Sequence, residues 1–241
     1  MIKSSSVATD RNLHENGSEK MAEKIVLIDG HSILNRAFFG IPDLTNFRGT
    51  SHKCLYGFLN IMLKILDEEK PEYLTVAFDV HAPTFRHEMY ADYKGTRKPM
   101  AEELRQQVPV MKEVLQAMGI RIIERAGLEA DDLLGTLSRR CEEAGMEVSV
   151  ISGDRDLLQL ATDHVKIRIP KTRRGGTEIE DYYAADVQEK YGVTPSEFID
   201  MKALMGGRLR QYTRSSQYRR EDSVKDHSCV SFHRKRLRAR G

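Results

Sequence analysis

Ile25-Val26-Leu27-Ile28-Asp29-Gly30-His31 decides how this sequence folds, because an unbroken apolar run rich in β-branched residues ends abruptly on a carboxylate and a glycine. A run this short, without alternation, reads as a strand buried on both faces, as in a parallel sheet. Working outward, Leu74 to Phe78, Ile120 to Ile123 and Val148 to Ile151 repeat the pattern. Between them, Leu55, Phe58, Leu59, Met62, Leu63 and Leu66 recur at helical spacing, as do Leu104, Val108, Met111, Leu115 and Met118. The second of these helices is expected to bend at Pro109. A further helix is predicted from Glu129 to Ala144. Thr194-Pro195-Ser196-Glu197 has a capping-box pattern with Pro at the first helical position, opening a helix that should end at Gly206. The alternation gives an α/β fold with a central, mostly parallel sheet flanked by helices, and ligands outside the carboxyl ends of its strands.

Acidic residues fall at those ends. Asp29 follows the first run, Asp79 the second, and Asp154 and Asp156 the Val148 run, while Glu129, Asp131 and Asp132 open a helix. If the strands are parallel neighbours, seven carboxylates meet at one edge of the sheet. Left alone they would repel and raise one another's pKa values. Hard oxygen ligands at this density suit two Mg²⁺ or Mn²⁺ ions about 4 Å apart, which can stabilise the attacking and leaving oxygens of a phosphodiester. Any single motif has a plainer alternative, since acids in a first helical turn often only answer the macrodipole.

The stretch Ala82-Pro83-Thr84-Phe85-Arg86 leads into Tyr90-Ala91-Asp92-Tyr93-Lys94-Gly95-Thr96-Arg97-Lys98, basic with interleaved tyrosines. On a helix Lys94 and Arg97 would share a face and could bind the scissile phosphate while Tyr93 stacks on a terminal base. The alternative is a solvated loop.

With 241 residues, 40% hydrophobic, the chain can bury one sizeable core. The widely spaced Cys54, Cys141 and Cys229 form no CxxC pair, which argues against a zinc site or disulfide framework. No signal-peptide pattern opens the chain, and no apolar run approaches the ~20 residues that span a bilayer. A soluble, cytoplasmic protein is expected. The net charge of +2 conceals a division: 207–241 holds eleven Lys/Arg against three Asp/Glu, leaving 27 against 33 elsewhere. An acidic body can approach nucleic acid only if cations neutralise it.

Taken in order, Leu27-Ile28-Asp29-Gly30-His31, Phe78-Asp79, Thr84-Phe85-Arg86, Tyr93-Lys94-Gly95-Thr96-Arg97, Glu129-Ala130-Asp131-Asp132 and Gly153-Asp154-Arg155-Asp156 with Gln159-Leu160 carry a resemblance. The chain resembles the 5′-nuclease domain of bacterial DNA polymerase I, within the flap endonuclease family of PIN-like folds, over 24–206. The resemblance implies a 5′-3′ exonuclease or flap endonuclease acting in replication and repair as a monomer on DNA with a 5′ flap or nick, or on an RNA primer–DNA hybrid. By the same resemblance, Asp29, Asp79, Glu129 and Asp131 hold a first metal, and Asp132, Asp154 and Asp156 help hold a second. Arg86, Tyr93, Lys94 and Arg97 form a gateway that binds DNA, with Lys94 and Arg97 steadying the scissile phosphate. A PIN-like ribonuclease and a noncatalytic fragment that binds metal or DNA are the alternatives.

The pattern breaks after Gly206. The family continues with two more metal aspartates and a duplex-binding hairpin, so it calls for nine carboxylates where seven stand here. Joining the last two bases of each codon to the first base of the next restores it. Codons GGA and CGN for Gly207 and Arg208 yield GAC, aspartate, and Leu209 to Ser215 permit Ser-Asp-Asn-Ile-Pro-Gly-Val. Tyr218 to Ser223 permit Ile-Gly-Glu-Lys-Thr-Ala. The expected organisation is therefore a disordered extension over 1–21, a PIN-like 5′-nuclease domain over 22–206, and a disordered, out-of-frame basic tail over 207–241 in which the helix-hairpin-helix region is lost.

Overall fold

The computed structural model describes residues 22–42, 44, 52–95, 99–173 and 176–205. The extension before residue 22, the tail after residue 206 and Arg97 lie outside these residues. Strands β1 (Lys24–Asp29), β2 (Tyr73–Ala77), β3 (Arg121–Ile123), β4 (Glu147–Ile151), β5 (Val165–Arg173) and β6 (Gly176–Tyr182) form one sheet in the order β3-β2-β1-β4-β5-β6. All neighbours are parallel except the β5–β6 hairpin. The sheet is the mostly parallel one expected, with β1 and β4 paired from Ile25↔Val148 to Ile28↔Ile151.

Helices α1 (Gly30–Gly40), α2 (Lys53–Glu69), α3 (Phe85–Met89), α4 (Glu102–Ala117), α5 (Ala130–Glu143), α6 (Ala184–Tyr191) and α7 (Pro195–Met205) complete the described fold with a 3₁₀ turn at Arg155–Leu160. Alternate side chains of β1 divide the core. Val26 and Ile28 pack with Ile33, Phe58, Met62 and Met111 on the face covered by α1, α2 and α4. Leu27 packs with Ala130, Leu134, Leu157, Val187 and Phe198 on the face covered by α5, α6 and α7. Burying each such side chain contributes about 1.5–3 kcal/mol, which is what makes the two-sided sheet stable. Among the described residues no helix is long and apolar enough to cross a membrane.

Several elements depart from the sequence reading. β5 was hidden by Lys166, Arg168 and Pro170, yet its Val165, Ile167 and Ile169 alternate inward. Pro170 lies beyond the β4 pairing, so no ladder bond to β4 is lost there. α4 runs unbroken through Pro109, which faces solvent, where water can satisfy the carbonyl that proline leaves unpaired. Lys94 does not lie on a helix, and Arg97, expected to share a helical face with it, lies outside the described residues. α3 stops at Met89, a turn follows over 91–95, and Lys94 takes a left-handed φ of 59° before Gly95 donates to the Asp92 carbonyl at 2.9 Å.

Candidate active site

Parallel β1, β2 and β4 deliver their carboxyl ends to one edge, and the turns beyond them bear the acids. Asp29 ends β1 and caps α1, its Oδ1 accepting from the Ser32 amide at 3.0 Å. Its Oδ2 accepts from the buried Ser152 hydroxyl at 2.8 Å, which joins the ends of β1 and β4. Gly30 is required beside it, because a Cβ there would stand 2.5 Å from the Phe78 ring. Asp79 follows β2 and accepts from the Ala130 amide at 2.6 Å, which ties β2 to the start of α5. Its own amide donates to His31 Nδ1 at 3.1 Å. Glu129 is the N-cap of α5, and Asp131 and Asp132 fill the first turn.

Electrostatics record how closely these groups converge. Burial, with the charges of Asp29, Asp154, Asp79 and Glu129 added, raises the Asp131 carboxyl to about 7. Burial raises Asp29 to about 6 against two hydrogen bonds that favour its anion, with Asp79 and Asp154 adding repulsion. Asp29, Asp79, Glu129, Asp131 and Asp154 thus form one acidic neighbourhood, five of the seven carboxylates that the sequence led us to expect there.

The other two acids turn aside. Asp132 accepts both guanidinium nitrogens of Arg86, at 2.7 and 2.8 Å, and this fork holds its carboxyl below the usual range. Asp156, at the 3₁₀ turn, pairs with Lys202 of α7 at 2.8 Å. Among the described residues no three side-chain donors close around a common point that could hold an ion.

The basic gateway reaches the same edge. Phe85 donates its amide to the Gly127 carbonyl at 3.2 Å, and Thr84 and His87 form the capping box of α3, so α3 docks on the loop leading into α5. Lys94 Nζ lies 2.7 Å from Glu129 Oε1, and the Tyr93 hydroxyl donates to Glu129 Oε2 at 3.2 Å. Arg86, Tyr93 and Lys94 are therefore brought onto the acidic cluster. His31, Ser32, Ser152 and Lys202 join the site through contacts that no sequence motif announces. Nearness in sequence to Asp29 or Asp154 is a signal for His31, Ser32 and Ser152, whereas nothing local marks Lys202, whose contact with Asp156 crosses between elements.

Residues 24–192 match the family described as the 5′-3′ exonuclease, N-terminal resolvase-like domain. The chain is 49% identical over 186 residues, 77% of its length, to DNA polymerase I of Bacillus caldotenax. It is 47% identical over 184 residues to that of Bacillus subtilis and 40% identical over 190 residues to the thermostable enzyme of Thermus filiformis. The chain spans about a fifth of the length of these relatives, 21%, 21% and 22% respectively. Among solved structures, T5 5′-exonuclease with bound zinc aligns at a TM-score of 0.66 and 21% identity, covering 85% of this chain and 74% of that one. The bacteriophage T5 flap endonuclease crystallised with DNA and metal ions aligns at 0.65 and 20% identity, covering 84% and 74%. These likenesses show the shared PIN-like fold. With its strand-end acids in the matched segment, the chain belongs to the 5′-3′ exonuclease family, through that family's N-terminal resolvase-like domain.

Proposed function

We propose that this domain is a metal-dependent 5′-3′ exonuclease and flap endonuclease that hydrolyses DNA phosphodiesters at 5′ flaps and nicks, and RNA primers paired to DNA. The observation that carries the reading is the meeting of five carboxylates with Arg86, Tyr93 and Lys94 at one sheet edge. The residues fit divalent ions: the donors are hard oxygens, and an Asp131 carboxyl raised to about 7 marks a place where positive charge is wanted. Asp29, Asp79, Glu129 and Asp131 would hold one ion, and Asp154 with Asp132 and Asp156 a second, Mg²⁺ or Mn²⁺. When bound, such ions lower the pKa of an attacking water and offset charge on the attacking and leaving oxygens. Lys94 and Arg86 then have the donors to hold the scissile phosphate, Arg86 by its fork and Lys94 as a point charge, and Arg97, outside the described residues, would add a third cation. Tyr93 offers a ring for a terminal base to stack on. Selection acts through strand end and shape, as phosphate contacts carry no sequence information. The protein works as a cytoplasmic monomer in this reading.

The break in the family pattern after Gly206 favours a second reading, a fragment that binds metal and DNA without cutting, because out-of-frame translation from Gly207 would remove two second-site aspartates and the duplex-binding hairpin. Incubating the 241-residue chain with an end-labelled 5′-flap duplex and Mg²⁺ separates the readings. Slow release of the flap, impaired by the loss of the two second-site aspartates and the hairpin and abolished by EDTA, is the expected result, and rapid release would overturn the impairment. Tight flap binding with no product supports the fragment, and cleavage of single-stranded RNA in preference to the flap supports a ribonuclease. The nucleotide sequence of the gene decides the frame.

A further inference from the structure

We propose that the hydroxyls of Ser152 and Ser32 form a clasp that fixes the spacing between the two ion positions of the carboxylate edge, and that this fixed spacing selects small divalent cations over large ones. The inference rests on the nuclease reading above, in which Asp29 serves the first ion and Asp154 with Asp156 the second. Both serines are positioning residues, acting through the acids whose places they set.

The clasp closes on one turn from two sides. Ser152 follows β4 and is fully buried, and its amide donates to the Arg168 carbonyl of β5 at 3.2 Å, so the backbone beneath its hydroxyl is held. That hydroxyl has one hydrogen, given to Asp29 Oδ2 at 2.8 Å, and its lone pair accepts the Asp154 amide at 3.0 Å. One side-chain oxygen therefore spans the first-ion carboxylate and the turn that carries the second-ion ones. Ser32 makes the return link: its amide donates to Asp29 Oδ1 at 3.0 Å, and its hydroxyl accepts the Gly153 amide at 2.8 Å. The contact is close enough to need glycine, since a Cβ on Gly153 would stand 3.0 Å from Ser32 Oγ. The links run on to Asp154 Oδ1, which accepts the Asp156 amide at 2.9 Å. Each Asp29 oxygen thus accepts a hydrogen bond and still has a lone pair for a cation, so the serines orient the carboxylate without filling it. A lone buried hydroxyl that needed only a partner would stop at one bond, whereas these two cross-link the same pair of segments. Rigidity of this kind bears on ion size: Mg²⁺ demands near-ideal octahedral geometry at about 2.1 Å, while Ca²⁺ tolerates a flexible shell at about 2.4 Å.

The test is calorimetric titration of Mg²⁺ and of Ca²⁺ into the 241-residue chain, with the melting temperature in EDTA measured alongside. Ser152→Ala should weaken Mg²⁺ binding about tenfold and Ca²⁺ binding by no more than about threefold, because a loosened cage harms the ion that demands exact geometry. Ser152→Thr, which keeps the hydroxyl, should restore Mg²⁺ binding. Ser32→Ala leaves the Ser32 amide on Asp29 but frees the Gly153 turn, and should shift the preference in the same direction. Equal losses for the two ions, or a lower melting temperature with ion affinities unchanged, mean a merely structural hydroxyl and overturn the proposal. If Ser152→Ala fails to fold, Ser32→Ala and Ser152→Thr decide: a lost Mg²⁺ preference in the first and a kept one in the second support the clasp, and any other pairing overturns it. The titration judges the clasp whether or not a flap is cut. A wild-type chain that binds both ions with a preference indifferent to either serine sinks the clasp and leaves the nuclease reading standing. A wild-type chain that binds neither ion overturns both.

Discussion

At the scale of single residues, the acidic edge trades stability for chemistry. Asp131 is held near the charges of four other acids, so removing its charge should relieve repulsion. Asp131→Asn is expected to stabilise the chain in EDTA at pH 8 by about 1–3 kcal/mol, seen as a higher melting temperature, while abolishing the rise that Mn²⁺ gives the wild type. A lower melting temperature in EDTA would show that Asp131 is a structural partner instead. His31 does quieter work, accepting the Asp79 amide through Nδ1 while its ring packs edge-on against Phe78 at 5.4 Å. His31→Ala should cost about 1 kcal/mol and weaken Mn²⁺ binding through a looser Asp79, and His31→Asn, which keeps an acceptor, should restore binding. Calorimetric titration of the two variants distinguishes them. The acids themselves were legible in the sequence because each follows an apolar run. Their partners were not, since Ser152, Arg86 and Lys202 reach Asp29, Asp132 and Asp156 across 123, 46 and 46 positions of chain.

At the scale of elements, two contacts fix how the layers sit. α1 and α2 cross at Gly57, where a Cβ would lie 2.4 Å from Ile41 Cδ1 and 2.6 Å from Ala37 Cβ. Gly57→Val should therefore force the helices apart and destabilise by about 1–3 kcal/mol in a urea melt, despite valine's better helix propensity. The β5–β6 hairpin is tied to α2 by Arg168, whose guanidinium meets Glu68, Glu69 and Asp181 at 2.8 Å each. Arg168→Ala leaves Glu69 half-paired and buried, for an expected loss of about 2–4 kcal/mol, discounted because Glu68 and Asp181 are partly exposed. That arginine hides β5 in the sequence: a charge in mid-strand looks like a loop until a helix with two glutamates is laid over it. α3 is hidden for another reason, being one turn long and capped by His87 instead of the usual Glu or Gln.

At the scale of the whole molecule, the edge links stability to pH and to divalent cations. Asp29 and Asp131 have folded-state pKa values of about 6 and about 7, raised from 3.8. A carboxyl with a raised folded pKa binds its proton more tightly in the folded state, so these two make stability fall as pH rises from about 4 toward 7. Above that window the full penalty persists until a cation offsets it. Thermal melts should then show a larger stabilisation by Mn²⁺ at pH 8 than at pH 5, where protons already occupy the site. An equal shift at both pH values would place the bound ions away from these carboxylates.

The sequence by itself determined the α/β class, the parallel core strands, the two long helices of one layer and the acids at strand ends. Those features are written in local periodicity and in abrupt changes from apolar to charged residues, which physics reads without knowing the fold. Only the tertiary structure decided which acids converge, because that depends on strand order, and which of them turn away to Arg86 and Lys202. It alone set Lys94 in a left-handed turn over Glu129 and left the enclosed nitrogen of Arg36 without a partner among the described residues. Such facts come from elements far apart in the chain competing for the same charges, and no window of sequence contains both competitors.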